Sequence, residues 1–380
     1  MFRNFFRHIL LPILLLIGCI LPVSAANFSA ELDCKSAILM EASTGHILFE
    51  KNADEALPPA SVTKIMTLLL VMEAIDAGKI KLTDMVPVSE YAASMGGSQV
   101  YLQPGEEMSV EEMIKCVVIS SANDCAVALA EFLCGSEEAF VTQMNQRAKA
   151  LGMNNSNFEN TNGLDDTVTN HVISAKDIAI MSRELIAHDL ILQYSSIWMD
   201  TIRNGAFGLT NTNRLIRFYS GANGLKTGST SKAKFCISAT AKREGMQLIA
   251  VIMAAPTRDI RNNAAKQLLD FGFANYGVFT EEGTELEPIV VKGGTADNCK
   301  IRSREIHSVL EKEKIAKITK EVRLPESVKG PVSKGDVLGE IIYSYNGEKI
   351  GSAEILAEED VPAIGYSGIF LRILKSFCLS

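Results

Sequence analysis

Residues 58–67, PPASVTKIMT, place a serine and a lysine three positions apart at the head of a very apolar stretch. Leu57-Pro58-Pro59 acts as a stop, because proline breaks both helices and sheet ladders. Ile65 to Met72 is then almost unbroken hydrophobe. The segment reads as a helix from about Ser61 to Ala77, apolar nearly all round and therefore buried between other layers. Lys64 is pulled toward that dry interior, where a charged ammonium is costly, so it either snorkels to the surface or serves chemistry. Ser61 and Lys64 share one face, a turn apart. The serine is either an ordinary N-cap or a nucleophile. At a helix start its N–H has no intrahelical acceptor and can face a substrate oxygen, with the helix dipole adding positive potential. Burial disfavours the charged form of Lys64, which would let a neutral amine take the hydroxyl proton. Ser-x-x-Lys alone leaves both readings open.

Outward from this helix, the pattern alternates strand pairs with helices. Cys34 to Met40 and His46 to Phe49 flank the turn EASTG, residues 41–45, and read as a β-hairpin. Phe235 to Ala241 and Met246 to Ala254 read as a second hairpin, whose return strand LIAVIMA is apolar on both faces and belongs inside a sheet. Val110 to Leu133 is helical in pattern but interrupted by SSAND; Ala139 to Leu151, Ala175 to Ala187 and Asn263 to Phe271 are further helices. The fold class is α+β with an antiparallel sheet. Past about Tyr276 the texture changes to short alternating segments with frequent Gly, Pro and Asn-Gly turns, a small all-β domain.

The bulk properties narrow the function classes. The chain has 380 residues, 47% hydrophobic and 22% charged, enough for one large and one smaller domain. A net charge of −8 argues against nucleic acid as a partner. Residues 1–26 read as an export signal: Arg3 and Arg7, an apolar run from Ile9 to Leu21 holding Pro12, and the small-x-small site Val23-Ser24-Ala25. The run is shorter than the about 20 apolar residues of a transmembrane span. Leu16-Ile17-Gly18-Cys19 also resembles a bacterial lipoprotein box, although Ile20 to Val23 would be an odd mature N-terminus. Cys34, Cys116, Cys125, Cys134, Cys236, Cys299 and Cys378 remain after the signal, an odd set unlike a disulfide scaffold. Cys116, Cys125 and Cys134 recur every nine residues, which on one continuous helix sets neighbours on opposite faces. The five histidines show no ligand spacing, so no metal site is expected.

Two further motifs bear on Ser61. In SSAND, Asn123 or Asp124 is a ready cap for a helix over Cys125 to Leu133. Alternatively the Ser121 hydroxyl stands beside the lysine as a proton relay and the Asn123 amide holds a substrate peptide group. In GLKTGSTSK, Lys226 and Thr227 offer a cation and a hydroxyl suited to a carboxylate, and Gly228 leaves room for a peptide along a strand edge. Each motif alone is also an ordinary turn or cap.

Taken in order, Ser61-x-x-Lys64, Ser121-x-Asn123 and Lys226-Thr227-Gly228 resemble the signature set of penicillin-binding proteins and serine β-lactamases. EASTGHILFEKNADEALPPASVTKIMTLLL and NGLKTGSTSKAKFCISATAKREGMQLIAVIM look like the low-molecular-mass D-alanyl-D-alanine carboxypeptidases, over residues 34–276 strongly and over the β domain loosely. The resemblance implies a transpeptidase-like domain over 27–276 and a β-rich domain over 277–362. It implies Ser61 as nucleophile on D-Ala-D-Ala ends of peptidoglycan stem peptides, Lys64 as base, Ser121 as relay and Asn123 as clamp. Lys226 and Thr227 would hold the terminal carboxylate, and the N–H groups of Ser61 and Ser229 the oxyanion. Arg261 fits the offset of the family's arginine before the QLLDFGF helix better than Arg258. Acylation and inhibition by β-lactams follow, with no cofactor and no metal. A class A β-lactamase would need Glu-x-x-Leu-Asn, whereas Glu159 here is followed by Asn-Thr-Asn; NGLD instead resembles the carboxypeptidase loop, with Asp165 as a support residue. A catalytically silent wall-binding relative would have no need to keep these motifs.

The tail GIFLRILKSFCLS sets Ile369, Phe370, Ile373, Leu374 and Phe377 on one helical face, with Arg372, Lys375 and Ser376 on the other. From Ile369 to Leu379 it reaches about 16 Å, too short for a core about 30 Å thick. Residues 363–380 therefore read as an interfacial anchor on the outer face of the cytoplasmic membrane, as family members often carry, or as a helix docked on the protein's own surface.

Overall fold

Leu248 to Met253 has the solvent-free burial that its two-sided hydrophobicity demands, every residue being 0% exposed. The computed structural model describes residues 28–378, with side chains to residue 374 in the last helix. The signal, its lipobox alternative at Cys19, and the side chains of Lys375, Ser376, Phe377 and Cys378 lie outside the described residues. Strands β1 (Ser36–Glu41), β2 (Ile47–Lys51), β3 (Ala222–Thr230), β4 (Lys234–Arg243) and β5 (Met246–Ala255) form one antiparallel sheet in the order β2-β1-β5-β4-β3. Alternate residues face opposite layers, as the strand period requires. Ile38, Met40, Ile249, Val251 and Met253 join the core around helix α1 (Lys64–Asp76). Leu39, Leu248, Ala250 and Ile252 join Leu268 and Leu269 on the other face. The β4–β5 turn carries Glu244 and Gly245 at φ 48° and 80°, the left-handed pair that a two-residue hairpin turn needs.

Around the sheet stand α2 (Asn123–Cys134), α3 (Glu137–Ala150), α4 (Ala175–Ile186) and α5 (Arg258–Asn275). Two expected boundaries move. Ser61 lies in a 3-10 turn, Ala60–Thr63, and the α-helix proper starts at Lys64. Helix α5 starts at Arg258 rather than Asn263, because Thr257 caps it by accepting from the Ile260 N–H at 3.2 Å. The SSAND interruption is a π-turn, Cys116–Ser120, followed by Ser121 in the left-handed region at φ 65°. This break folds the nine-residue cysteine spacing back on itself: burial and then the neighbouring Cys116 thiol raise the Cys125 thiol pKa. The two thiols thus meet instead of lying on opposite faces. Neither Asn123 nor Asp124 is the cap, since both fall inside α2. The Asp124 carboxylate accepts instead from the N–H groups of Val100 and Leu102 at 3.0 and 3.2 Å.

Lys226-Thr227-Gly228 sits within β3, the edge strand, with Thr227 opposite Ile237. Beyond α5, a six-stranded sheet carries its own core, including Ile289, Ile301, Tyr343 and Ile355, while a two-stranded one places Val309 in the core with Leu268 and Leu269. The last helix, α6 (Tyr366–Cys378), leaves Ile369, Phe370, Leu371 and Leu374 exposed. Among the described residues, no helix is long and apolar enough to cross a membrane.

Candidate active site

The first turn at Ala60–Thr63 is held between two glycines. A Cβ on Gly228 would come within 2.8 Å of the Ser61 nitrogen, and one on Gly163 within 1.9 Å of the Ala60 carbonyl oxygen. Strand β3 and the Asn160–Asp165 loop can therefore close on the serine only because side chains are missing there. Ser61 is half-buried, and Lys64 below it is fully buried. The Lys64 Nζ stands 3.0 Å from Ser61 Oγ, 2.5 Å from Asn123 Oδ1 and 2.7 Å from the Asn162 carbonyl oxygen. A neutral amine has two N–H bonds and one lone pair. With both N–H groups donated to Asn123 and Asn162, the lone pair is left for the Ser61 hydroxyl proton. Burial first, and the Lys226 cation second, hold the Lys64 pKa well below the ordinary lysine value. The serine therefore does not act as a helix cap; its hydroxyl faces an amine.

Ser121 and Asn123 approach from the α2 side. The Ser121 hydroxyl accepts from Lys226 Nζ at 2.8 Å and makes no hydrogen bond to Lys64 among the described residues. Ser121 therefore stands beside the second lysine rather than the first. Asn123 Nδ2 donates to the Gly96 carbonyl at 2.7 Å while its oxygen accepts from Lys64. One amide hydrogen remains for a substrate carbonyl. Lys226 is 1% exposed, and burial followed by the Arg261 cation lowers its pKa to about 7. An arriving carboxylate would raise it again by supplying the missing counter-charge. The Thr227 hydroxyl donates to Thr212 Oγ1 at 2.8 Å.

Both candidate arginines face the same cavity of about 410 Å³, lined also by Ser61, Ser121, Thr227, Gly228 and Ser229. Arg261 is 3% exposed and donates to Asn262 Oδ1 at 2.8 Å, whereas Arg258 is exposed. Burial first and Arg258 second lower the Arg261 pKa to about 10.

The sequence marks the loop over residues 160–165 through NGLD but does not show that its Asn162 carbonyl meets Lys64. His171 Nδ1 accepts from the Glu159 N–H at 2.9 Å, so its other nitrogen carries the proton and donates to Thr63 Oγ1 at 2.7 Å. Thr63 in turn donates to the Ala60 carbonyl at 2.8 Å. Burial lowers the His171 pKa to about 4, keeping this neutral tautomer. Only NGLD pointed to this loop. Asp165 ties it to the end of β3 by accepting from the Thr230 hydroxyl. Glu159, the residue a class A β-lactamase reading would need, is exposed and its carboxylate accepts from the Thr169 and Asn170 N–H groups.

With this geometry in hand, a family model described as D-alanyl-D-alanine carboxypeptidase matches residues 23–257. One described as penicillin-binding protein 5, C-terminal domain, matches residues 278–363. The D-alanyl-D-alanine carboxypeptidase DacF of Bacillus subtilis (strain 168) is 42% identical over 377 residues, covering 95% of this chain and 96% of its own. A solved structure of penicillin binding protein 5 from Haemophilus influenzae is 32% identical, with a TM-score of 0.76 over 88% of this chain and 98% of that one. Penicillin-Binding Protein D2 from Listeria monocytogenes in its ampicillin-bound form is also 32% identical, with a TM-score of 0.59 over 64% of this chain and 98% of that one.

Proposed function

Since the chain belongs to the D-alanyl-D-alanine carboxypeptidase family and is a serine-type enzyme of that activity, we propose that Ser61 is its nucleophile and Lys64 the base that activates it. The observation that carries this is the Lys64 amine, pinned by Asn123 and Asn162 with Ser61 Oγ at 3.0 Å. Ser61 Oγ bonds to the carbonyl carbon of the penultimate D-alanine while its proton passes to Lys64. The oxyanion accepts from the N–H groups of Ser61 and Ser229. The C–N bond then breaks, the departing amine takes the proton from Lys64 through Ser121, whose hydroxyl turns from Lys226 once the substrate carboxylate engages that lysine, and D-alanine leaves. Water hydrolyses the resulting ester of a peptidoglycan stem peptide. A β-lactam meets the same serine as a strained cyclic amide and is held as the acyl-enzyme. Asn123 clamps the substrate peptide group, and Gly228 keeps β3 close beside it. Lys226, Thr227 and Arg261 hold the terminal carboxylate.

Arg261→Ala tests this. A charge-assisted hydrogen bond is worth about 1.5–3 kcal/mol, so kcat/KM on a D-Ala-D-Ala peptide should fall roughly tenfold to a hundredfold. Cleavage of an ester substrate lacking the carboxylate should change little. Arg258→Ala should leave both near wild type; a larger selective loss there would reverse the assignment.

Export through residues 1–26, catalysis by residues 27–276 and a separate β-rich unit at 277–362 complete the reading. Helix α6 is assigned as a peripheral anchor on the outer face of the cytoplasmic membrane, on the strength of its exposed Ile369, Phe370, Leu371 and Leu374. Arg372 does not simply face outward: it pairs with Asp297 at 2.9 Å and donates to the Thr295 carbonyl. That contact ties the polar side of α6 to the β-rich unit and leaves the apolar residues outward. Deleting residues 363–380 should release active enzyme from vesicles containing anionic lipid; undiminished co-sedimentation of the truncated protein would exclude the tail as anchor.

A further inference from the structure

The groups assigned so far account for one anion, the α-carboxylate of the departing D-alanine. The cavity continues past Thr227 and Thr212 to Trp198, Arg214 and Arg258. Its 410 Å³ falls in the range that holds drug-sized ligands, well beyond what a D-alanine fills. The direction of the extension follows from the anchoring of residues 212–214. Thr212 is hydrogen-bonded to Thr227, and Asn213 Nδ2 donates to the Gly224 carbonyl at 2.8 Å near the head of β3. With a carboxylate at Lys226 and Thr227, the acyl part of the substrate runs toward Gly228 and Ser229. Arg214 therefore lies on the leaving-group side.

Arg214 and Arg258 are both exposed, and neither side chain makes a hydrogen bond or ion pair among the described residues. Nearby, Arg203 is neutralised by Glu106 at 2.7 Å, whereas Arg217 lies over the Trp198 ring at 5.6 Å. The acid closest at hand is Asp259, which lines an adjoining hollow with Arg214 and Lys266. It follows Arg258 directly on α5, and successive helix residues do not face one another. Two free guanidinium groups thus flank the buried Arg261, while Trp198 contributes an apolar wall.

We propose that Arg214 and Arg258 form a second anion subsite on the leaving-group side, which selects departing D-amino acids whose side chain ends in a carboxylate. The proposal rests on the Ser61 acylation reading above. The chemistry is unchanged: the Ser61 Oγ–carbon bond forms, the C–N bond breaks, and the departing amine takes the proton. Only the leaving group differs, a D-glutamate or a similar acidic D-amino acid. Its α-carboxylate stays with Lys226, Thr227 and Arg261, and its side-chain carboxylate reaches the two arginines. Trp198 covers the methylenes.

The test compares N-acyl-D-Ala-D-Glu with N-acyl-D-Ala-D-Gln, which match in size and differ in charge, on the full enzyme. Wild type should prefer the D-Glu peptide by about tenfold in kcat/KM, the low end for one charge-assisted hydrogen bond, and less so at high salt. R214Q and R258Q should each reduce the preference, and the double variant should erase it. D-Alanine release from N-acyl-D-Ala-D-Ala should stay within about twofold in all three, since uncharged surface substitutions cost little. Equal rates on D-Glu and D-Gln in an enzyme that releases D-alanine would overturn the subsite. So would a preference that survives in the double variant. Failure of wild type to release D-alanine or to take a penicillin label would instead strike the Ser61 reading beneath it.

Discussion

Ser61→Ala should abolish covalent penicillin labelling and D-alanine release together, with the fold intact. The substitution removes one hydroxyl whose side-chain partner is the Lys64 amine at 3.0 Å. Ser61 is half-buried, so the change opens little new cavity. The oxyanion N–H groups and the carboxylate binders stay in place, so substrate still binds. What disappears is the atom that forms the ester. Intact-mass measurement after incubation with penicillin should show the adduct on wild type alone. A retained adduct on the alanine variant would place the nucleophile elsewhere.

Lys64→Arg should lower acylation by roughly two to four orders of magnitude, the usual contribution of a positioned general base. Arginine keeps the positive charge and can still donate toward Asn123 Oδ1 and the Asn162 carbonyl, so those acceptors are not orphaned. It cannot become a neutral base near pH 7. In wild type the working form is the neutral amine, and burial together with Lys226 lowers the Lys64 pKa. Acylation should therefore rise as pH climbs through that depressed pKa and fall below it; the arginine variant should lose this limb. A thermal melt close to wild type separates a chemical defect from a folding one, because Lys64 is fully buried and the larger side chain has to be accommodated. Near-normal acylation in a folded Lys64→Arg protein would sink the base assignment.

Several features of this protein were legible residue by residue. The Pro58-Pro59 stop, the apolar run behind it and the hairpin from Phe235 to Ala254 are local signals, set by backbone conformation and hydrophobic period within a few positions. LIAVIMA announced the central strand because no polar side chain had to reach water. The ordered triplets at 61–64, 121–123 and 226–228 pointed to one site although they are scattered along the chain. The tertiary structure decided what each group touches. Lys64 finds the Asn162 carbonyl 98 residues away, and that bond determines where its lone pair points. Ser121 turns to Lys226 across 105 residues rather than to Lys64. The π-turn brings Cys116 beside Cys125, against the nine-residue spacing. Lys226 to Gly228 lies in an edge strand because Gly228 lets β3 pack against the Ser61 nitrogen, a contact no window of sequence contains. Periodicity reports which face of an element is buried. Which groups then meet across the buried face depends on how whole layers pack, and that is determined only when distant segments compete for the same space.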